Sequence, residues 1–154
     1  MKTSGVTLLE MLTVLGILAV ALLIMGLRTS PDRMLLVRAG NELQVFLQKN
    51  RLEAIKRNTP VVLHFEAAGI QSCLDADHTG SCSSHNHLDR WETAPYRGLQ
   101  YQENLPTDLV WTPEGFPAQT GTGFAAGSIV LSKKGRTLKV ILASGGRIRQ
   151  EMMP

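Results

Sequence analysis

The chain has 154 residues, enough for one small domain plus an appendage and too few for two full domains. Its formal net charge of +3 is unevenly spread. From Ser128 to Pro154 six cations face Glu151 alone, a net +5, while the preceding residues carry ten basic and twelve acidic side chains, a net −2. A basic end on a mildly acidic body suits either a polyanion partner or a solvated edge, and it excludes a uniformly basic chain.

The first predicted element is apolar. From Val6 to Leu27 the only charged residue is Glu10, and the 22 residues of this span make a helix of roughly 33 Å, the thickness of a bilayer core. Lys2, in the short leader Met1–Gly5, favours a cytoplasmic N-terminus. A cleaved secretory signal is one alternative, because Ala19-Val20-Ala21 offers a processing site; the apolar run continuing past it argues against that. A plain membrane anchor is another, but a carboxylate at mid-helix depth costs about 2.5–3.5 kcal/mol and calls for a cationic partner.

The stretch "GVTLLEMLTVLGILAV" resembles the class III signal of type IV pilins and pseudopilins. The resemblance implies cleavage by a prepilin peptidase between Gly5 and Val6, N-methylation of Val6, and pairing of Glu10 with the N-terminus of a neighbouring subunit. That pairing is physically sensible, since a buried carboxylate needs a cation. Val6 stands where the family usually carries phenylalanine.

Pro31 interrupts the helix after the apolar run. From Met34 to Arg57 an amphipathic helix is expected, with Leu36, Ala39, Leu43, Leu47 and Ala54 at helical spacing and Phe46 beside them. Lys49, Arg51, Lys56 and Arg57 crowd its C-terminal half, where cations suit the helix dipole, and Asn58-Thr59-Pro60 stops it. "PVVLHF" follows as a strand with Val61, Leu63 and Phe65 on one face. The block "NRLEAIKRNTPVVLHF" resembles one branch of the superfamily, the GspH/FimT group of minor subunits of type IV pili or type II secretion pseudopili.

From about Ile70 to Pro117 the composition predicts long loops with short strands. Within it, Cys73 and Cys82 are expected to form a disulfide in an exported chain. Asp75-x-Asp77-x-Thr79-Gly80 copies half a calcium loop, but Asn86 stands where the bidentate glutamate belongs. His78, His85 and His87 match no common zinc spacing. No metal and no cofactor is expected. "GSIVLSKKGRTLKVILASGGRIRQ" predicts a hairpin series, with Ile129 and Leu131, then Leu138, Val140 and Leu142, alternating inward, and turns at Lys133–Arg136 and Gly145-Gly146.

The last predicted strand holds the candidate site. Arg147 and Arg149 share one side while Ile148 points inward, and two guanidiniums on one face suit phosphate oxygens. Gly146-Arg147-Ile148-Arg149 is similar to the Gly-Arg-x-Arg motif of FimT-type minor pilins, associated with DNA binding in natural transformation. Lys133, Lys134, Arg136 and Lys139 precede it and are expected to extend the patch; the alternative is a solvated final strand.

No nucleophile–base–acid constellation and no phosphate loop is present, so an enzyme is not expected. The expected organisation is a leader at 1–5, a transmembrane and filament-assembly helix at 6–27, and a periplasmic or extracellular pilin-like domain at 28–154. The expected fold is α+β: a long N-terminal helix, transmembrane in its first half, packed on a C-terminal antiparallel sheet domain. The resemblance implies other pilin or pseudopilin subunits, a prepilin peptidase, the inner membrane and double-stranded DNA as partners. The leading expectation is a FimT-like minor pilin, ahead of an H-type minor pseudopilin of a type II secretion system. A membrane-anchored metal-binding domain or hydrolase is the reading from a different class.

Overall fold

The computed structural model of the protein describes residues 7–27, 31–76, 82, 86–105, 108–119 and 123–153. The chain divides into two units, Met1–Met34 and Leu35–Pro154. The first contains helix α1, Leu8–Leu27, whose described side chains are all exposed, Leu8 to 80% and Leu22 to 66%. Among the described residues no helix is long and apolar enough to cross a membrane.

Helix α2, Pro31–Arg57, begins on a proline at its first position, where the missing N–H would have had no intrahelical acceptor. Its buried stripe is Leu36, Ala39, Leu43, Phe46, Leu47 and Ala54, the residues that helical spacing predicts. It ends in a Schellman motif: Asn58 takes φ 48°, its N–H donates to Ile55 O and that of Thr59 to Ala54 O.

Two antiparallel sheets pack with α2 around one core. The first comprises β1 (Val61–Glu66), β2 (Gly69–Leu74), β3 (His87–Glu92), β5 (Asp108–Trp111) and β6 (Pro117–Gln119), in the order β3-β2-β1-β5-β6. The second comprises β4 (Gln100–Asn104), β7 (Gly127–Lys133), β8 (Arg136–Leu142) and β9 (Ile148–Met153), in the order β4-β7-β8-β9. The fold is therefore α+β with a helical N-terminal part and a C-terminal antiparallel domain, as expected. The stretch from Ile70 to Pro117 is more regular than its composition predicts, since it holds β3, β4, β5 and most of β2. β3 and β4 are edge strands; β3 sets Leu88 and Trp91 against the core, three residues apart, and β4 only Tyr101, so neither alternates clearly in the sequence.

Val62 is buried along with Val61 and Leu63, so β1 is covered on both faces. Val62 pairs with Cys73, which is disulfide-bonded to Cys82 with Cα atoms 5.6 Å apart. The β7–β8 turn carries positive φ at both Lys134 and Gly135, the conformation a two-residue hairpin needs to match strand twist. α2 packs tightly on β8 at Gly40, where an added Cβ would stand 2.7 Å from Leu138 Cδ2.

Candidate functional site

Gly5 and Val6, the expected cleavage point, lie outside the described residues, as do Asp77, His78, Thr79 and His85. Glu10 is exposed on the first turn of α1. Its Oε2 accepts from the Thr7 backbone N–H at 3.4 Å, and Thr7 Oγ1 accepts from the Glu10 N–H at 3.3 Å. This reciprocal pair is a capping box, which satisfies two N–H groups left over at a helix start. Sequence reasoning assigned Glu10 to a neighbouring subunit and overlooked this local role. The signal was present: Thr7-Leu8-Leu9-Glu10 has the T-x-x-E spacing of the motif. Both residues lie beyond the Gly5–Val6 bond, so cleavage there leaves the box intact.

The basic residues fall into separate groups. Arg147 and Arg149 are exposed, and Ile148 between them is half-buried against the core. Arg149 pairs with Ile141 and Ile148 with Leu142 in the β8–β9 register, which puts the arginine on the outer face of the sheet. Lys139 stands mid-strand on that outer face, between Val130 and Glu151 in the register. Lys133, Lys134 and Arg136 belong to the β7–β8 turn, at the opposite end of β8. Six residue steps of strand, about 20 Å, separate that turn from Leu142 beside the arginine pair. The structure thus brings Arg147 and Arg149 together and leaves the hairpin lysines and Arg136 apart from them.

Gly146 serves the turn rather than the surface. It is buried, with φ 78°, and its N–H donates to Ala143 O at 2.8 Å. A Cβ here would stand 2.8 Å from Gly115 O and 3.1 Å from Arg51 Cζ. Arg51 of α2 explains the crowding. Its Nη1 donates to Gly146 O at 3.0 Å, and its guanidinium carbon lies 5.9 Å from the Trp111 ring centroid. Its Nε is buried with no hydrogen-bond partner among the described residues. One guanidinium from α2 therefore meets β5 of the first sheet and the β8–β9 turn of the second. Helical periodicity placed Arg51 among dipole-compensating cations, and only the tertiary fold shows its buried contacts. Asn50 beside it is buried too, with Nδ2 donating to Phe46 O at 2.8 Å.

Away from this end, polar contacts tie α2 to β3 and to the segment that follows it. The Tyr96 hydroxyl donates to Glu42, which also accepts from Arg38 at 2.9 Å, and Lys49 pairs with Asp89 at 2.7 Å. The Tyr96 hydrogen bond and the Arg38 guanidinium hold the Glu42 carboxyl below its usual range. Burial, then the bond to Glu42, push Tyr96 up to about 12. Among the described residues no group of three His, Cys, Asp or Glu side chains is placed to hold a metal ion.

Residues 39–146 match the family model described as type II transport protein GspH. The chain is 33% identical to the pilin-like protein PilA1 of Thermus thermophilus, with 98% of this chain and all of the relative covered. Its fold is similar to that of the type IV minor pilin FimU of Pseudomonas aeruginosa, with a TM-score of 0.60 over 78% of this chain and 90% of that one at 20% identity. These likenesses join the helix-plus-sheets fold to a structural role in assembly with other pilin-like subunits, not to an enzyme. The chain belongs to the GspH family of minor pilins and pseudopilins, subunits of type IV pili or type II secretion systems.

Proposed function

We propose that this protein is a FimT-like minor pilin that helps build a type IV pilus and contacts DNA during natural transformation. Residues 6–27 anchor it in the inner membrane, with the domain 28–154 periplasmic until assembly. A prepilin peptidase cuts between Gly5 and Val6, the new N-terminus is methylated, and Glu10 pairs with the N-terminus of a neighbouring subunit. The apolar run and its single carboxylate support the anchor and the pairing. The DNA role rests chiefly on one observation: Arg147 and Arg149 are exposed together beside a turn fixed by Arg51. Guanidiniums held this way contact phosphate without reading sequence.

Titration of the full-length protein in detergent with a fluorescent DNA duplex tests this. Binding weakens as salt rises, and changing Arg147 and Arg149 together to Gln flattens the log–log slope by about 1.8, the worth of two phosphate contacts. A double variant that binds as tightly as the wild type, with an unchanged slope, removes the DNA role. The second reading, an H-type minor pseudopilin, is favoured by the description of the matching family model as a type II transport protein. Absence of salt-sensitive binding by the wild type moves that reading to first place.

A further inference from the structure

Next to the arginine pair the molecule exposes aromatic surface that its core does not use. Phe116 is 41% exposed and Phe124 74%. Their rings meet edge to face, with centroids 6.0 Å apart and planes at 82°. Phe116 leads into β6, and Phe124 returns to that strand through a bridge with Ala118. A cleft of ≈ 360 Å³ lies there, lined by both rings with Thr112, Glu114, Ala118 and Gly123.

The cleft adjoins the basic end through the backbone. The 112–116 turn closes with Thr112 N–H donating to Phe116 O and Gly115 N–H to Thr112 O. Gly115 O lies so near Gly146 that a Cβ there would approach it to 2.8 Å. Phe116 follows Gly115 and Arg147 follows Gly146, so the exposed aromatic pair and the exposed arginines stem from two touching turns.

We propose that this cleft is a stacking site for an unpaired nucleobase, with the phosphates of the same strand lying against Arg147 and Arg149. The inference rests on the DNA-binding reading of those arginines. Aromatic faces beside a cationic track are the usual means of holding single-stranded nucleic acid, because every base has a π-face. The carboxylate of Glu114 sorts the two parts of a nucleotide: it repels phosphate from the cleft and leaves the neutral base to enter. A hydrogen bond with the Thr112 side chain holds that carboxyl below its usual range, so it is charged at neutral pH. Bases in an intact duplex are already stacked on one another and do not reach the rings. The protein therefore binds a single strand more tightly than a duplex of equal length.

The test titrates full-length protein in detergent with a fluorescent single-stranded oligonucleotide and with its duplex, for the wild type and for Phe116→Leu with Phe124→Leu. Leucine keeps apolar bulk and removes the π-face. The expected result is about a tenfold loss of single-strand affinity, within the range of one base stacked on an aromatic ring, with duplex binding and both salt slopes unchanged. Phe124→Leu alone, at the more exposed ring, shows the same selective loss at smaller amplitude and covers the case in which the double variant unfolds. A wild type that binds the duplex as tightly as the single strand, or variants that retain full single-strand affinity, overturns the stacking site and leaves the arginine reading standing. A wild type that binds neither DNA overturns both. Variants that keep DNA binding but fail to enter filaments show that a neighbouring subunit covers the rings, which also overturns the site.

Discussion

Arg51 on α2 and Gly146 in the β8–β9 turn, 95 positions apart, are joined by a 3.0 Å hydrogen bond from a guanidinium N–H to the turn carbonyl. The same guanidinium packs on Trp111, so one helix side chain touches both sheets. The turn it holds carries Arg147 into β9, where Arg149 follows. Under the DNA-binding proposal, this anchoring lowers the ordering entropy that a strand meets on reaching the arginines.

Gly146→Ala should therefore cost about 1–3 kcal/mol in denaturant unfolding, from a left-handed backbone forced on a side chain and from the contact with Gly115 O. Arg51→Ala should cost a similar amount by leaving the Gly146 carbonyl without its donor. The two losses should not add fully, because the Cβ added at Gly146 would stand 3.1 Å from Arg51 Cζ and crowd the guanidinium that the other substitution removes. Strict additivity in the double variant would show that Arg51 and Gly146 act independently.

Glu10 has Thr7 as its partner in the structure and a neighbouring subunit's N-terminus as its proposed one, and Gln separates them. Glu10→Gln retains the capping box with Thr7, since Gln serves at that position as well as Glu, but removes the charge. Mass spectrometry of host-derived protein should show a mature chain starting at Val6 for both the wild type and this variant. Incorporation into filaments should fall for Glu10→Gln as severely as for Glu10→Ala. Full incorporation of the Gln variant would mean that the cap, not an intersubunit ion pair, is what assembly needs.

The disulfide should leave Cys73 and Cys82 unreactive to thiol labels until a reductant is added. A bridge closing so short a segment stabilises by about 3 kcal/mol in the chain-entropy account. Reduced protein should unfold at correspondingly lower denaturant. Labelling of either cysteine in native, unreduced protein would contradict the bridge.

The Tyr96–Glu42 bond ties stability to pH at both ends. Glu42 is depressed in the folded state, so its contribution is present above its ordinary value of 4.5 and is lost as pH falls through the folded value. Tyr96 is raised, so its contribution is present below 10.0 and is lost as pH rises through about 12. Tyr96→Phe should flatten both limbs of the stability profile, and Arg38→Ala the acid one, by less because that pair is exposed. An acid limb unchanged in Tyr96→Phe would show that the hydroxyl is not what lowers Glu42.

Much of the fold was legible because it follows from local chemistry. Leu36, Ala39, Leu43 and Leu47 recur at the helical period, Asn58 can take the left-handed cap, and the inward alternation of Leu138, Val140 and Leu142 survives intact in β8. β3 and β4 were hidden because an edge strand needs few apolar residues and its pairing comes from a distant partner. Arg147, Ile148 and Arg149 were readable too, since alternation along a strand decides which side each side chain takes.

Helix faces, strand alternation, helix stops and turn positions are written locally in the amino-acid order, because each depends on neighbours within a few residues. The length of β8 between its two hairpin turns parts Lys133, Lys134 and Arg136 from Arg147, and that too is local. Long-range packing, in contrast, presses Gly115 against Gly146 and so brings the turn before Phe116 to the turn before Arg147. It also gives Arg51, read locally as one of the cations that suit the helix dipole, a partly buried contact with both sheets. Such facts depend on which distant segments meet, and that follows from the burial of one shared core, which no local pattern encodes.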